Sequence, residues 1–536
     1  MKKEIVVLVL IILTIFFITF IYGVINKSNN NDENSEINVV LGSEPSSLDP
    51  AISLTIDVRS YMTNMFEGLV NIDANGELKA GVATEWKSNE DNTEYTFYLR
   101  KEAKWSDGSP LTAKDFKYEW LRVLNPETAS GWASYLYYIK GAEDYNNGKV
   151  KAEDVGIEVL DDYTLKVEME NPCSFFASMT ALQPYYPVKE SIISEYGEDW
   201  TQDSNTYITN GAFKLENWEH DSKISIVKNS NYWDKEKVNI SKINFMLYSD
   251  SSSILNAYDA GNIDYVESML TSEEMQQIDK LDYSDFVYTK FLAMNLTSKV
   301  FQDINVRKAI SLALDREEIA NIMGVEMQPL TSFIPYGFYN SDENKDFTED
   351  SNSTKYLEKN ANIEEAKKIL EEAGYKDGSG LETITYLTNT SSTNVALAEI
   401  VKNQLSKIGI NVEIQAVEAK VFNTYRKEKK FDLVAASWAA EYPDITSYLY
   451  GFKSTDLNNY SSYNNKEFDN IYNSILSEEN TREKFKLTHQ AEDLVMNSYC
   501  IAPLYLQKNC FIVNDKIKGF YHDITGCLNF SQSYIE

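Results

Sequence analysis

With 536 residues and 43% apolar side chains the chain is a folded protein too long for one core, so several domain-sized lobes are expected. Its formal charge of −32 sets its own field against a phosphate backbone, which excludes nucleic acid as a partner. Four cysteines without CxxC spacing (Cys173, Cys500, Cys510, Cys527) and three scattered histidines (His220, His489, His522) encode no local zinc site.

In chain order, Met1-Lys2-Lys3-Glu4 precedes Ile5–Ile25, an apolar run interrupted only by Thr14, Thr19, Tyr22 and Gly23. As a helix it spans roughly 30 Å, the thickness of a bilayer core, and it lacks the short centre and small-residue cleavage site of a signal peptide. Residues 1–25 are therefore read as an uncleaved membrane anchor, with an atypical cleaved signal as the alternative, and residues 26–36 as a polar tether. Ile37–Gly42 reads as a strand. Tyr95, Phe97 and Leu99 alternate with polar neighbours as in a half-buried strand, SDGS at Ser106–Ser109 is turn chemistry, and Thr112 with Asp115 caps a helix whose apolar face is Phe116, Trp120 and Val123. The acidic stretch Asn340–Ser353 lacks EF-hand spacing and reads as a solvated loop. Asn362 and Glu365 cap a helix that closes at Gly374.

The alternation is clearest late in the chain. Thr383–Thr388 is strand-like, Val395–Ile408 is an amphipathic helix, Asn411–Val417 is strand-like, a helix starts at Ala419, and Phe431–Trp438 is a nearly continuous apolar strand. A parallel sheet follows from that order. Ligands of such sheets bind beyond the carboxyl ends of the strands, which selects Asn389–Asn394 and Glu441. The cysteines leave a Cys500–Cys510 or Cys510–Cys527 disulfide and free buried thiols as open alternatives. No GxSxG, HExxH or Walker loop is present, so the chain is not expected to be an enzyme.

Seven stretches occur in one order: SSLDP at Ser46–Pro50, MFEGLV at Met65–Val70, LRKEAKWSDGSPLTAKDF at Leu99–Phe116, ITNGAFKLENW at Ile208–Trp218, AGNID at Ala260–Asp264, NVRKAISLALDRE at Asn305–Glu317 and FDLVAASWAAEYPD at Phe431–Asp444. Together they resemble the extracellular oligopeptide-binding proteins of bacterial ABC importers, from about Ile37 to the C-terminus. The resemblance implies an α/β fold of the periplasmic-binding-protein kind (class II, cluster C), two-lobed with an extra subdomain and a hinged ligand cleft. Its expected parts are residues 37–66, 188–290 and 512–536 for the first subdomain of lobe 1, 67–187 for the second, and 291–511 for lobe 2. It implies a monomer without cofactor or metal that captures peptides outside the cell and delivers them to the permease; the N-terminal segment read above as an anchor would hold it at the membrane. A tethered receptor for a signalling peptide, or for a non-peptide ligand, is the alternative.

Residue by residue, the resemblance places Glu441 where an aspartate binds the peptide's α-amino group, one methylene longer. Trp438 and Ala439 would run beside the peptide backbone, Leu54, Thr55 and Ile56 would flank its other edge, and Trp132 would line the cleft. Arg426 keeps a basic position that meets peptide carboxylates, whereas Asn394 and Ala435 stand where a histidine and a second arginine are implied. Ala419 replaces a cleft tryptophan, and 321–327 holds no lysine.

Overall fold

The computed structural model describes residues 35–536 apart from positions 43, 54, 249, 268–277, 279–280, 325–326, 341–344, 441, 443, 457, 479 and 524. The anchor and almost all of the tether thus lie outside the described residues, as do Leu54 and Glu441. Among the described residues, no helix is long and apolar enough to cross a membrane.

Tyr95, Phe97 and Leu99 point into the core from the strand Glu94–Leu99, the centre of a small antiparallel sheet ordered 83–88, 94–99, 164–168, 157–161. The helix expected after the turn is Ala113–Leu124. Asp115 accepts from the Thr112 N–H at 2.7 Å, and Phe116, Trp120 and Val123 are buried. Asn362 likewise caps Ile363–Glu372 through the Glu365 N–H, and the chain leaves that helix at Gly374 with φ 89°.

A second sheet of eleven strands runs through the molecule. At one end the expected parallel trio is present, with Ile384–Asn389 between Val412–Val417 and Leu433–Trp438. At the other end lie Glu36–Val40, Lys242–Met246, Lys223–Lys228 and Phe213–Glu219. Two antiparallel strands of 13 residues, Asp282–Met294 and Ile501–Val513, join the halves. Each spans about 43 Å, long enough to take part in both lobes. One large core gathers buried residues between Ile37 and Tyr265 with Phe511, Ile517, Leu528 and Phe530, and it includes the small sheet. Two other cores draw on residues between Phe291 and Tyr505.

The motifs of the first lobe interlock. Asn210 of the ITNGAF stretch accepts from the Glu67 N–H at 3.1 Å and donates to the Glu67 carbonyl at 2.8 Å. The Gly211 N–H reaches the Met65 carbonyl at 2.7 Å, so close that a Cβ there would sit 2.5 Å from the Met65 carbonyl carbon. Ser106 of SDGS joins the same knot through Thr209 at 2.7 Å. Glu67 itself is buried and accepts from Asn71, Tyr232 and Trp233 at 2.6–2.9 Å. In SSLDP, Asp49 takes both Arg122 terminal nitrogens at 2.6 and 2.9 Å, a two-pronged charge-assisted pair.

One sequence expectation changes here, and the alternatives left open for the cysteines close. The acidic stretch is not wholly solvated: Asp346 and Asp350 are buried because they serve local backbone donors, Asp346 accepting from Gly337 and Thr348 and Asp350 from Asn352. All four cysteines are free thiols. Cys500 precedes and Cys510 sits within one extended strand, about 33 Å apart along it, so that pair has no disulfide geometry.

Candidate ligand cleft

The strand Leu433–Trp438 is the wall from which the site can be built. On one edge it pairs along its whole length with Thr289–Met294. On the other it meets Ile384–Asn389 only through Leu433 and Val434, so from Ala435 onward that edge has no strand partner among the described residues. An unpaired edge offers N–H and C=O groups to any extended chain laid beside it.

Trp438 holds this edge in place. Its indole is buried, donates to the Ser447 carbonyl at 2.7 Å, and packs 5.1 Å from the Tyr450 ring with Gly451 against its far side. The side chain is therefore scaffold, and what it presents is the backbone at Ala439 and Ala440. On the first lobe Trp132 has the same character. Its indole nitrogen donates to the Ser53 carbonyl at 2.7 Å, and Gln183 holds the Pro50 and Ser53 carbonyls at 2.6 and 2.8 Å. These bonds fix the loop that leads to Thr55, exposed at the start of the helix Ile56–Met65, with Ile56 half-buried.

Arg426 lies in the last turn of the helix Ala419–Lys427. Its guanidinium carbon is 4.8 Å from the Tyr460 ring centre and 5.3 Å from that of Phe422, one nitrogen reaches Asn423 at 3.3 Å, and its buried Nε has no hydrogen-bond partner. Asn394 is occupied differently, donating to the Asn389 side chain at 2.9 Å.

Sequence reasoning missed Lys290. It stands opposite Ser437 on one side and Tyr505 on the other, and its ammonium donates to the Ser437 hydroxyl at 3.2 Å. Burial, and then the charge of Arg426, push it down to about 8. A lysine in YTKFLAM reads as the solvent-facing member of an alternating strand; only the register opposite Ser437 reveals more. Beside it, Tyr288, Ser437, Gln507 and Asn509 line a cavity of about 350 Å³ over the two long strands. Glu267 closes its floor. Burial pushes that carboxyl up, but bonds from His522, Tyr265 and Asn509 outweigh it and hold the group below its ordinary range.

Farther along the cleft the lobes touch. Phe175 stacks on Tyr442 at 5.0 Å and 10°, and the Ser174 N–H donates to the Leu476 carbonyl at 3.1 Å. A cavity of about 500 Å³, rich in tyrosine, lies beside this contact between residues 134–179 and 442–477. Among the described residues, no group of three or more metal-binding side chains occurs.

The family model for bacterial extracellular solute-binding proteins, family 5 (middle region), matches residues 77–460. The chain belongs to this family. It is 32% identical to the dipeptide-binding protein DppE of Bacillus subtilis over 91% of this chain and 89% of that protein. Among solved structures, Listeria monocytogenes OppA bound to peptide superposes with a TM-score of 0.76 at 27% identity, over 94% of this chain and 99% of that one. The Escherichia coli murein tripeptide-binding protein MppA gives a TM-score of 0.77 at 29% identity, covering 94% and 99%. The fold of this family 5 member is thus the two-lobed binding-protein fold.

Proposed function

We propose that this family 5 protein binds short peptides in the cleft between its lobes, outside the cytoplasm, and delivers them to the membrane subunits of an ABC importer. The observation that carries the reading is the edge from Ala435 to Trp438, which has no strand partner among the described residues and can take an extended backbone as an added strand. Main-chain pairing supplies affinity without demanding a particular side-chain sequence, and water in the flanking cavities accommodates varied side chains. Relatives named for dipeptide, oligopeptide and murein-tripeptide binding favour transport over a tethered receptor for a signalling peptide or a non-peptide ligand.

In this reading the lobes divide as residues 37–66, 67–187, 188–290 and 512–536 against 291–511, with Asp282–Met294 and Ile501–Val513 as the hinge strands. Glu441 holds the peptide's ammonium, the backbone at Trp438 and Ala439 runs beside the ligand, and Leu54, Thr55 and Ile56, braced by Trp132, flank its other edge. Arg426 meets the carboxylate. The ligand is bound without turnover, and Ile5–Ile25 tethers the protein to the membrane.

The test is calorimetric titration of free and N-acetylated peptides into the parent and Glu441→Gln proteins. The substitution is expected to weaken free peptides by ~2 to 5 kcal/mol, because a charge is left without its partner in the closed cleft, and acetylated peptides far less. Equal affinity of both proteins for free peptides removes Glu441 from the site. Failure of every peptide to bind removes the function.

A further inference from the structure

The two tryptophans that brace the ligand-flanking segments border one chamber. On the first lobe the Trp132 ring meets Tyr135 edge-on at 4.9 Å, and on the second the Trp438 ring meets Tyr450 at 5.1 Å. Tyr135 and Tyr450 both line the cavity of about 500 Å³ beside the contact between the lobes, so this chamber lies where the two segments end. Tyr138, Tyr442 and Tyr472 continue its wall.

Phenol rings suit an apolar group as well as a cation, and the charges around them decide between the two. Glu143, Glu170 and Asp456 line the chamber against a single ammonium, that of Lys453. The two glutamates are exposed and Asp456 is half-buried. Burial pushes the Asp456 carboxyl up, in spite of the Asn458 N–H that it accepts at 2.7 Å and the charges of Lys453 and Lys429. The Tyr472 side chain is 1% exposed, and its hydroxyl has no hydrogen-bond partner among the described residues. The protein already sets its own ammonium groups against rings here: Lys453 lies 5.4 Å from the centre of Tyr472, and Lys484, paired with Asp444, lies 5.7 Å from that of Phe175.

Lysine and arginine carry a charged head on an apolar stem. The rings of the chamber match the stem, and its carboxylates and unused hydroxyl match the head. A phenylalanine side chain would use only the first set, and a small amine only the second.

We propose that this chamber receives the first side chain of the bound peptide and selects lysine or arginine there, with Asp456 and the Tyr472 hydroxyl holding the charged head. The inference rests on the peptide-binding function proposed above, in which the amino end of the ligand lies just past Trp438, and adds a side-chain preference to it. Water fills the rest of the chamber, so the preference is graded and peptides with another first residue still bind.

The experiment titrates lysyl-dialanine and norleucyl-dialanine, which share the stem and differ in the ammonium, together with the pair that carries lysine or norleucine in second place. The parent is expected to bind lysyl-dialanine roughly 5- to 30-fold more tightly than its norleucine counterpart, with no such difference at the second position. Asp456→Asn keeps an oxygen for the Asn458 N–H; it should lose most of the preference and bind norleucyl-dialanine as the parent does. The double variant Glu143→Gln, Glu170→Gln, altered only at exposed side chains, should lose a smaller part. A parent protein that binds the first pair equally, or prefers norleucine, overturns the inference while leaving peptide binding intact. So does a lysine preference of the same size at the second position, or one that survives in full in Asp456→Asn or, where that protein does not fold, in the double variant. If the parent binds none of the four, nor any other peptide, both readings fall.

Discussion

The motif knot of the first lobe and the wall around Lys290 differ in what they leave over. At the knot every strong donor and acceptor named is spent: Glu67 on three side chains, Asn210 on both backbone groups of Glu67, Asp49 on Arg122. At the wall the bonds of Lys290 and Arg426 among the described residues go to a hydroxyl and an amide oxygen, and a strand edge has no strand partner among those residues. A saturated region has only itself to hold; binding capacity lies where hydrogen-bonding and charge are left unused. Recognisable sequence and ligand selectivity are thus separate properties of this molecule.

The comparison breaks most visibly at Gly211. A Cβ there would meet the carbonyl group of Met65, which is backbone and has no rotamer to move aside. Gly211→Ala is expected to lower stability by about 2 to 4 kcal/mol, read from denaturant unfolding of the first lobe, because the knot must open to admit the methyl. The fraction that remains folded should bind peptides with parental selectivity. Altered selectivity with unchanged stability would reverse the division between scaffold and wall.

The wall is expected to respond to pH where the knot does not. In the empty cleft Lys290, pushed down to about 8, loses its proton in this range, whereas burial, aided by Glu267, pushes Tyr288 up to about 12 and keeps it neutral. A carboxylate bound at Arg426 favours the ammonium. Affinity for a free-acid tripeptide should therefore be flat below pH 8 and fall by up to tenfold per unit above it, with proton uptake on binding. The peptide's own α-amino group also titrates near there, so the reading is the difference between free acid and amide, which shares that amine. In Lys290→Arg the difference should be flat. The empty protein moves the opposite way: between pH 8 and the ordinary value of 10.5 the unfolded chain binds the extra proton, so stability rises with pH across that window.

The parallel trio, the Thr112 and Asn362 helix starts and the Tyr95–Leu99 strand were legible because local pattern and tertiary role agree there. Lys290 was not legible, since its meaning comes from register: a polar residue in an alternating strand faces outward, and the sequence is silent on whether outward is solvent or a cleft. Asp346 and Asp350 misled for a related reason. Acidic clusters usually face water, but here backbone donors near in sequence fold over them.

The smallest effect concerns Asn394. The strand-end rule and the resemblance both select this position, and it does follow the carboxyl end of Ile384–Asn389. Yet its amide donates to Asn389, whose side-chain oxygen also takes the Ser391 N–H at 3.1 Å, so the group closes the turn between strand and helix. An amide spent this way has little to give a carboxylate that Arg426 can meet. Asn394→Ala is therefore expected to change tripeptide affinity less than threefold and to cost roughly 0.5 to 1.5 kcal/mol of stability, the net worth of one hydrogen bond. A tenfold loss of affinity for the free acid alone would move Asn394 from the turn to the binding wall and extend the unsaturated region past the end of the sheet.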